Sequence, residues 1–201
     1  MTTNRRARLS VGAVSPEHYS YGVRMRRVWV VGNSGSGKST LAAALAARLG
    51  VRYVEIDAVR HQANWVELES TELRRRLLVA IESDGWVVDG NYSGVADKVA
   101  DAADTVVWLD LPRRTVMRQI VLRTLQRIVR REELWNGNRE RWRNFFSLDP
   151  EVSVIMWAWT SHARYAARYA ELHATAEASP GGQQVVRLRS RADADRFLRS
   201  V

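Results

Sequence analysis

Val28-Trp29-Val30-Val31-Gly32-Asn33-Ser34-Gly35-Ser36-Gly37-Lys38-Ser39-Thr40 leads directly into Leu41-Ala42-Ala43-Ala44-Leu45-Ala46-Ala47-Arg48-Leu49. A β-branched and aromatic run gives way to a glycine-rich turn, and the turn to a run of strong helix formers. The turn fits G-x-x-x-x-G-K-[ST] from Gly32 to Ser39. Glycines let the backbone curl so that successive N–H groups point inward at phosphate oxygens, and the following helix N-terminus adds its partial positive charge. In such a loop Lys38 reaches the β- and γ-phosphates and the Ser39 hydroxyl binds Mg²⁺. The chain has only two lysines, Lys38 and Lys98, and one of them falls on this spot. A chance match in a glycine-rich turn is the competing reading, and the strand-loop-helix context argues against it.

Outward from the loop, short apolar runs alternate with helical patterns. Strands are predicted at Val28–Val31, Arg52–Ile56, Trp86–Val88, Thr105–Leu109 and Val185–Leu188. Their near-continuous apolar character is that of parallel strands covered on both faces. Helices are predicted at Lys38–Leu49, Ser70–Ser83, Gly94–Asp101, Arg113 to about Glu133, and Glu151–Ala176, with a short closing one at Ala192–Leu198. Alternation of this kind implies right-handed crossovers and a three-layer α/β sandwich.

Composition bounds the rest. In 201 residues, 46% are hydrophobic and 26% charged, enough apolar material for one domain's core. No apolar run is long enough to span a membrane. The absence of cysteine excludes disulfide scaffolds, thiolate metal sites and cysteine nucleophiles, and agrees with a reducing cytoplasmic setting. Residues 1–24 carry Arg5, Arg6 and Arg8 without a sustained apolar run, so they are not a secretory signal. They read as a flexible basic arm or as sequence upstream of a start at Met25. The domain proper is then 25–201, with a lid segment at about 113–147.

The net charge is +9, and between Arg113 and Arg143 ten arginines face only Glu132, Glu133 and Glu140. Guanidinium groups pair bidentately with phosphate oxygens, so such a field suits nucleic acid or a polyphosphate. Composition does not choose between them. On a helical wheel, Met117, Val121, Leu122, Leu125, Ile128 and Val129 take one side, and Arg123, Arg127, Arg130 and Arg131 the other, as a solvated face would. Arg118 falls on the apolar side, where a charge needs a partner, either a buried carboxylate or a bound phosphate. Beyond the helix, Trp135-Asn136-Gly137-Asn138-Arg139 reads as a turn with further donors, suited to a lid.

Carboxylates stand at three strand ends. In open α/β sheets ligands bind outside the carboxyl ends of the strands. Asp89, after Trp86-Val87-Val88, is the metal-side candidate; Asp110, before Leu111-Pro112, is read either as a second such group or as a helix cap. Asp57, after Tyr53-Val54-Glu55-Ile56, opens further from the loop and could hold or deprotonate an acceptor hydroxyl, or simply cap a helix. His61 either lines the same pocket or is a surface histidine. Within Arg74-Arg75-Arg76, only Arg74 is expected to turn inward.

With these pieces in place the sequence resembles the adenylate-kinase-related P-loop kinases, and within them a bacterial branch labelled "DNA topology modulation protein". The resemblance rests on Gly32–Thr40, the Asp57 strand end followed by Trp65, Trp86–Tyr92, Ala103–Pro112 and Val185–Arg191. It implies a parallel five-stranded sheet of order 2-3-1-4-5, an acceptor region after strand two and a lid after strand four. Asp89-Gly90 resembles the start of a D-G-[FY]-P-R signature, but Asn91-Tyr92-Ser93 follows, without its proline and arginine. The lid arginines of that family fall at Gln119 and Arg123, with Arg118 one step early, and its adenine-side loop resembles Leu188-Arg189-Ser190-Arg191.

The expectation is a Mg²⁺-ATP-dependent phosphotransferase acting on a small-molecule acceptor. Gly32, Asn33, Ser34, Gly35, Ser36, Gly37, Lys38, Ser39 and Thr40 would bind the phosphates, with Arg189 and Arg191 on the adenine side. Ser39 and Asp89 would hold the metal; Lys38, Asp57, Arg118 and Arg123 would act on the transferring group. Two other readings are an ATP-dependent, nucleic-acid-associated regulator and an ATP-binding protein without turnover.

Overall fold

The computed structural model describes residues 25–179 and 182–201. The expected arm at 1–24 and part of the turn at Ser179–Gly182 lie outside the described residues. The strands are β1 (Arg27–Gly32), β2 (Arg52–Glu55), β3 (Trp86–Asp89), β4 (Thr105–Leu109) and β5 (Gln184–Leu188). They form one sheet of order β2-β3-β1-β4-β5 with every neighbouring pair parallel. This is the expected order. The helices are α1 (Lys38–Leu49), α2 (Ile56–Arg60), α3 (Ser70–Ile81), α4 (Ser93–Ala102), α5 (Arg113–Arg130), α6 (Trp142–Phe145), α7 (Val154–Glu177) and α8 (Arg191–Ser200). Short α2 and α6 interrupt stretches that the sequence pattern leaves as connections.

Strand alternation divides the core in two. On one face Val28, Val30, Val87 and Val107 meet Leu41, Ala42 and Leu45 of α1 and Phe197 of α8. On the other, Trp29, Val31, Val88 and Trp108 meet Leu73 and Leu77 of α3, Val95 and Val99 of α4, and Tyr169 of α7. Burying both faces explains why β1, β3 and β4 lack the polar alternation of a half-exposed sheet.

The phase of α5 differs from the wheel. Its buried line is Val116, Ile120, Thr124 and Ile128, while Leu122 (55% exposed) and Val129 (66%) face outward. The reason is the loop beneath it. Gly35, at φ +83°, would place a Cβ 2.8 Å from Ile120 Cβ and 3.2 Å from the Val116 carbonyl. Close packing of helix on loop therefore fixes the helix's rotation, and the count of apolar residues does not. Arg118 is accordingly exposed, not inward, and Arg123 and Arg127 are half-buried. Arg74 is exposed as well, with its guanidinium on the Gly94 carbonyl at 3.3 Å.

Candidate functional site

The loop between β1 and α1 is held from behind by Asn33. Its amide donates to the Ala158 carbonyl (2.7 Å), and its Oδ1 accepts from the Ser34 N–H (2.9 Å) and the Ser161 hydroxyl (3.0 Å). The Asn33 side chain thus ties the loop to α7 and is not free for a ligand; its carbonyl accepts from Lys38 Nζ at 3.0 Å. A second tie runs through Asn91, which donates to the Gly32 carbonyl (2.6 Å) and accepts from the Tyr169 hydroxyl (3.0 Å). These bonds fix the loop against β3 and α7.

Lys38 and Ser39 begin α1 and face the carboxyl ends of β2 and β3. Asp89 is 3% exposed, and its Oδ1 has no protein partner among the described residues. Its Oδ2 accepts from the Tyr53 hydroxyl at 3.5 Å. Burial pushes the Asp89 carboxyl above its ordinary range, while Lys38 and the Ser39 hydroxyl pull it back. Burial likewise lowers Lys38, against the opposing charges of Asp89 and Asp57. A buried ammonium and carboxylate facing each other, with polar capacity left unused, are costly unless a further charged group completes the set.

The sequence reading missed Glu55. It is the register partner of Asp89 on β2, so both carboxylates leave the sheet on the α1 side. Burial raises Glu55, and Asp89 and Asp57 raise it further, while Trp135 and Ser39 face it and lower it. The available signal was strand parity: Tyr53 and Glu55 share a face, and that face meets α1. Asp57 does not end the strand. It sits in the first turn of α2, exposed but close enough to act on Lys38, Glu55 and His61.

From α5, Arg123 feels both Asp57 and Asp89, and its buried Nε has no partner among the described residues. Burial and neighbouring Arg127 lower it, but a guanidinium remains charged at any physiological pH. Arg127 behind it bonds Glu140 at 3.3 Å. Asp110 belongs to a structural pair with Arg187 (2.9 Å from Nε), neither a metal-side group nor a cap. Arg189 and Arg191 are exposed where β5 gives way to α8, and Thr40 and Gly37 are exposed at the start of α1. The structure thus gathers Lys38, Ser39, Glu55, Asp57, Asp89 and Arg123, and leaves Arg118 outside.

The residues present fit a magnesium–nucleotide. Ser36 Oγ is buried in the loop without a partner among the described residues, and a Cβ at Gly37 would meet nothing within 4 Å, which leaves space beside the inward N–H groups. Ser39, Asp89 and Glu55 are hard oxygen donors of the kind Mg²⁺ takes. Among the described residues no cluster of three or more His, Asp or Glu is arranged to hold a metal alone.

A family model described as "ATPase family associated with various cellular activities (AAA)" matches residues 28–88, from β1 through the loop into β3. A shikimate kinase of Persephonella marina is 29% identical over 110 residues, covering 47% of this chain and 67% of that protein. A shikimate kinase of Sulfurihydrogenibium sp. is 26% identical over 111 residues, with 48% and 67% covered. The structure of shikimate kinase from Acinetobacter baumannii in complex with shikimate superposes with a TM-score of 0.53 at 12% identity, covering 88% of this chain and 90% of that one. The fold is that of the P-loop kinases. No helix among the described residues is long and apolar enough to cross a membrane.

Proposed function

We propose that the chain transfers the γ-phosphoryl group of ATP to a hydroxyl-bearing small molecule. An ATP-dependent small-molecule kinase is what the loop, the sheet order and the curated relatives agree on. The observation that carries the reading is the convergence of Lys38 and Ser39 with Glu55, Asp57 and Asp89 across the ends of β2 and β3, opposite Arg123. Metal-bound ATP supplies the phosphoryl group and the charge that this convergence balances. Lys38 and the loop N–H groups would neutralise charge on the phosphates, with Lys38 turning from the Asn33 carbonyl to do so. Ser39, Asp89 and Glu55 would hold Mg²⁺, and Arg123 would reach the transferring group from α5. Asp57 would orient the acceptor hydroxyl and take its proton.

The adenylate-kinase-related branch is the finer reading, and with it an adenine site beside Arg189 and Arg191. Part of the arginine excess of α5 and of the segment after it is engaged within the protein. Arg127 is paired with Glu132 and Glu140, Arg139 with Glu133, and Arg113 lies over the Trp159 ring at 4.8 Å. The experiment is ATP consumption against shikimate, other polyhydroxylated acids, sugars, nucleosides and nucleoside monophosphates. Turnover with one of them supports the reading. Magnesium-dependent ATP binding with no turnover on any of them leaves a binding protein in its place.

A further inference from the structure

The segment after β2 and the segment after α5 lie more than 70 residues apart in sequence, yet they are knitted together. Each is a tight loop closed by a single bridge, His61 to Glu67 in one and Leu134 to Asn138 in the other. Each bends through left-handed residues, Asn64 and Trp65 in the first (φ +62° and +60°), Asn136 and Gly137 in the second (φ +56° and +80°). Such bends expose backbone groups that water usually satisfies. Here asparagine amides take them. Asn138 is 3% exposed: its Oδ1 accepts the Trp65 N–H (2.7 Å), and its Nδ2 donates to the carbonyls of Gln62 and Trp135 (2.8 Å each). Asn136 donates to the His61 carbonyl (2.5 Å), and the Trp65 indole to the Arg139 carbonyl (3.2 Å). The His61 ring stacks on Trp135 with centroids 5.7 Å apart and planes at 24°.

Both ends of this junction reach the proposed site. On one side Asp57 and Ala58 open α2, which runs into the first loop. On the other, Trp135 faces Glu55, and Glu140, at the exit of the second loop, bonds Arg127 one helical turn from Arg123. We propose that Asn138 is a positioning residue: by bonding the two loops into one body it sets the acceptor-side carboxylate Asp57 and the phosphate-side Arg123 at a fixed separation, so that ordering one side orders the other. The position demands an acceptor and a donor on one short planar group, which asparagine supplies and aspartate, leucine or alanine does not. This role rests on the kinase reading above, because only there do Asp57 and Arg123 act on the two partners of one transfer.

Hydrogen exchange in the presence of magnesium and a non-hydrolysable ATP analogue separates the two claims. In the wild-type protein, the analogue is expected to slow exchange at least five-fold in both 56–66 and 134–140. Asn138→Ala, and the milder Asn136→Ala at an exposed position, are expected to bind the analogue within two-fold of wild-type Kd and to lose the response in 56–66. With the best acceptor of the panel, Asn138→Ala should lower kcat about ten-fold and leave KM for ATP within two-fold. If the analogue binds but only one segment responds in the wild type, or if 56–66 responds equally in both variants, the positioning role is wrong. If the analogue does not bind the wild type, the kinase reading itself fails, and the role falls with it.

Discussion

Glu55 and Asp89 are directly opposed on neighbouring parallel strands, and both carboxylates turn toward the Ser39 hydroxyl at the start of α1. Two like charges side by side, each raised by burial, destabilise the ligand-free fold. Mg²⁺ held by these residues would offset that cost, so that the repulsion would favour binding.

A pH dependence follows from the sign of these shifts. Folded-state values above the unfolded ones mean that the folded protein binds more protons in the window between them. The ligand-free protein should therefore gain stability as pH falls from neutral toward the upper edge of the ordinary carboxylate range, while affinity for Mg²⁺–ATP falls over the same window. Glu55→Gln keeps the shape and removes one charge. Its melting temperature at pH 7 should rise by about 2 °C, its stability should vary less with pH, and Mg²⁺–ATP should bind more weakly. Melting scans and titration calorimetry across pH 5–8 check this; a Glu55→Gln protein that melts lower and binds as tightly as wild type would contradict it.

Arg123 and Arg118, both on α5, offer a sharp contrast. Arg123 is half-buried beside Asp57 and Asp89, and Arg118 is exposed. Arg123→Ala should lower turnover about 10²-fold, whereas Arg118→Ala should stay within two-fold of wild type. Equal losses from the two substitutions would show that the observed helix phase is not the one that works.

That contrast also marks where the sequence stops being legible. The loop at Gly32–Ser39 and the five strands follow from local pattern, because glycine spacing and strand–helix alternation are fixed by neighbours in sequence. The order of the strands came instead from the family resemblance, since which strands pair is a long-range property. The phase of α5 is not fixed locally either. Leu122, Leu125 and Val129 outweigh the true buried line of Val116, Ile120, Thr124 and Ile128 on a wheel, and only the seat of Ile120 on Gly35 decides between them. Glu55 was legible in principle, through its parity with Tyr53, but the more conspicuous Asp57 drew the assignment. His61 and the asparagines of the second loop acquire meaning only through contacts across more than 70 residues, which no local pattern encodes.

Gly35 carries a stability prediction of its own. Gly35→Ala adds a Cβ against Ile120 at a backbone φ of +83°, so both the strained conformation and the overlap act against it. The substitution should cost about 1–3 kcal/mol and weaken ATP binding, since relief requires moving α5 away from the loop. Gly37→Ala meets no neighbouring atom but shares the positive φ of +95°. It should cost less stability while still obstructing the phosphates. Equal melting temperatures for the two variants would remove the packing argument.

Lys38→Ala tests the loop directly. It should lower phosphoryl transfer about 10³-fold or more with the fold intact, and it should also lower the melting temperature, because it removes the cation that faces buried Asp89. Wild-type activity in this variant would overturn the assignment of the loop.

The acceptor class can be argued from the cations on its side. An acceptor that already carries a phosphate dianion needs free guanidinium groups facing it. Arg60 is engaged by Glu67 at 2.6 Å, and Arg75 and Arg76 share Glu72 at 2.7 Å on the exposed face of α3. Arg74 is turned to the Gly94 carbonyl. What the acceptor side does present is Asp57, whose negative charge repels a phosphate and suits a hydroxyl that can donate to it. AMP should therefore be a poor acceptor, with kcat/KM at least about 10²-fold below that of the best neutral or hydroxyl-bearing compound in the panel. Asp57→Asn should lower kcat on that compound about 10²-fold, with KM for ATP unchanged, because the amide still orients a hydroxyl but cannot take its proton. Coupled-assay turnover measures both. Rapid phosphorylation of AMP would place an unseen phosphate site on the acceptor side, and an Asp57→Asn enzyme as fast as wild type would remove Asp57 from the chemistry.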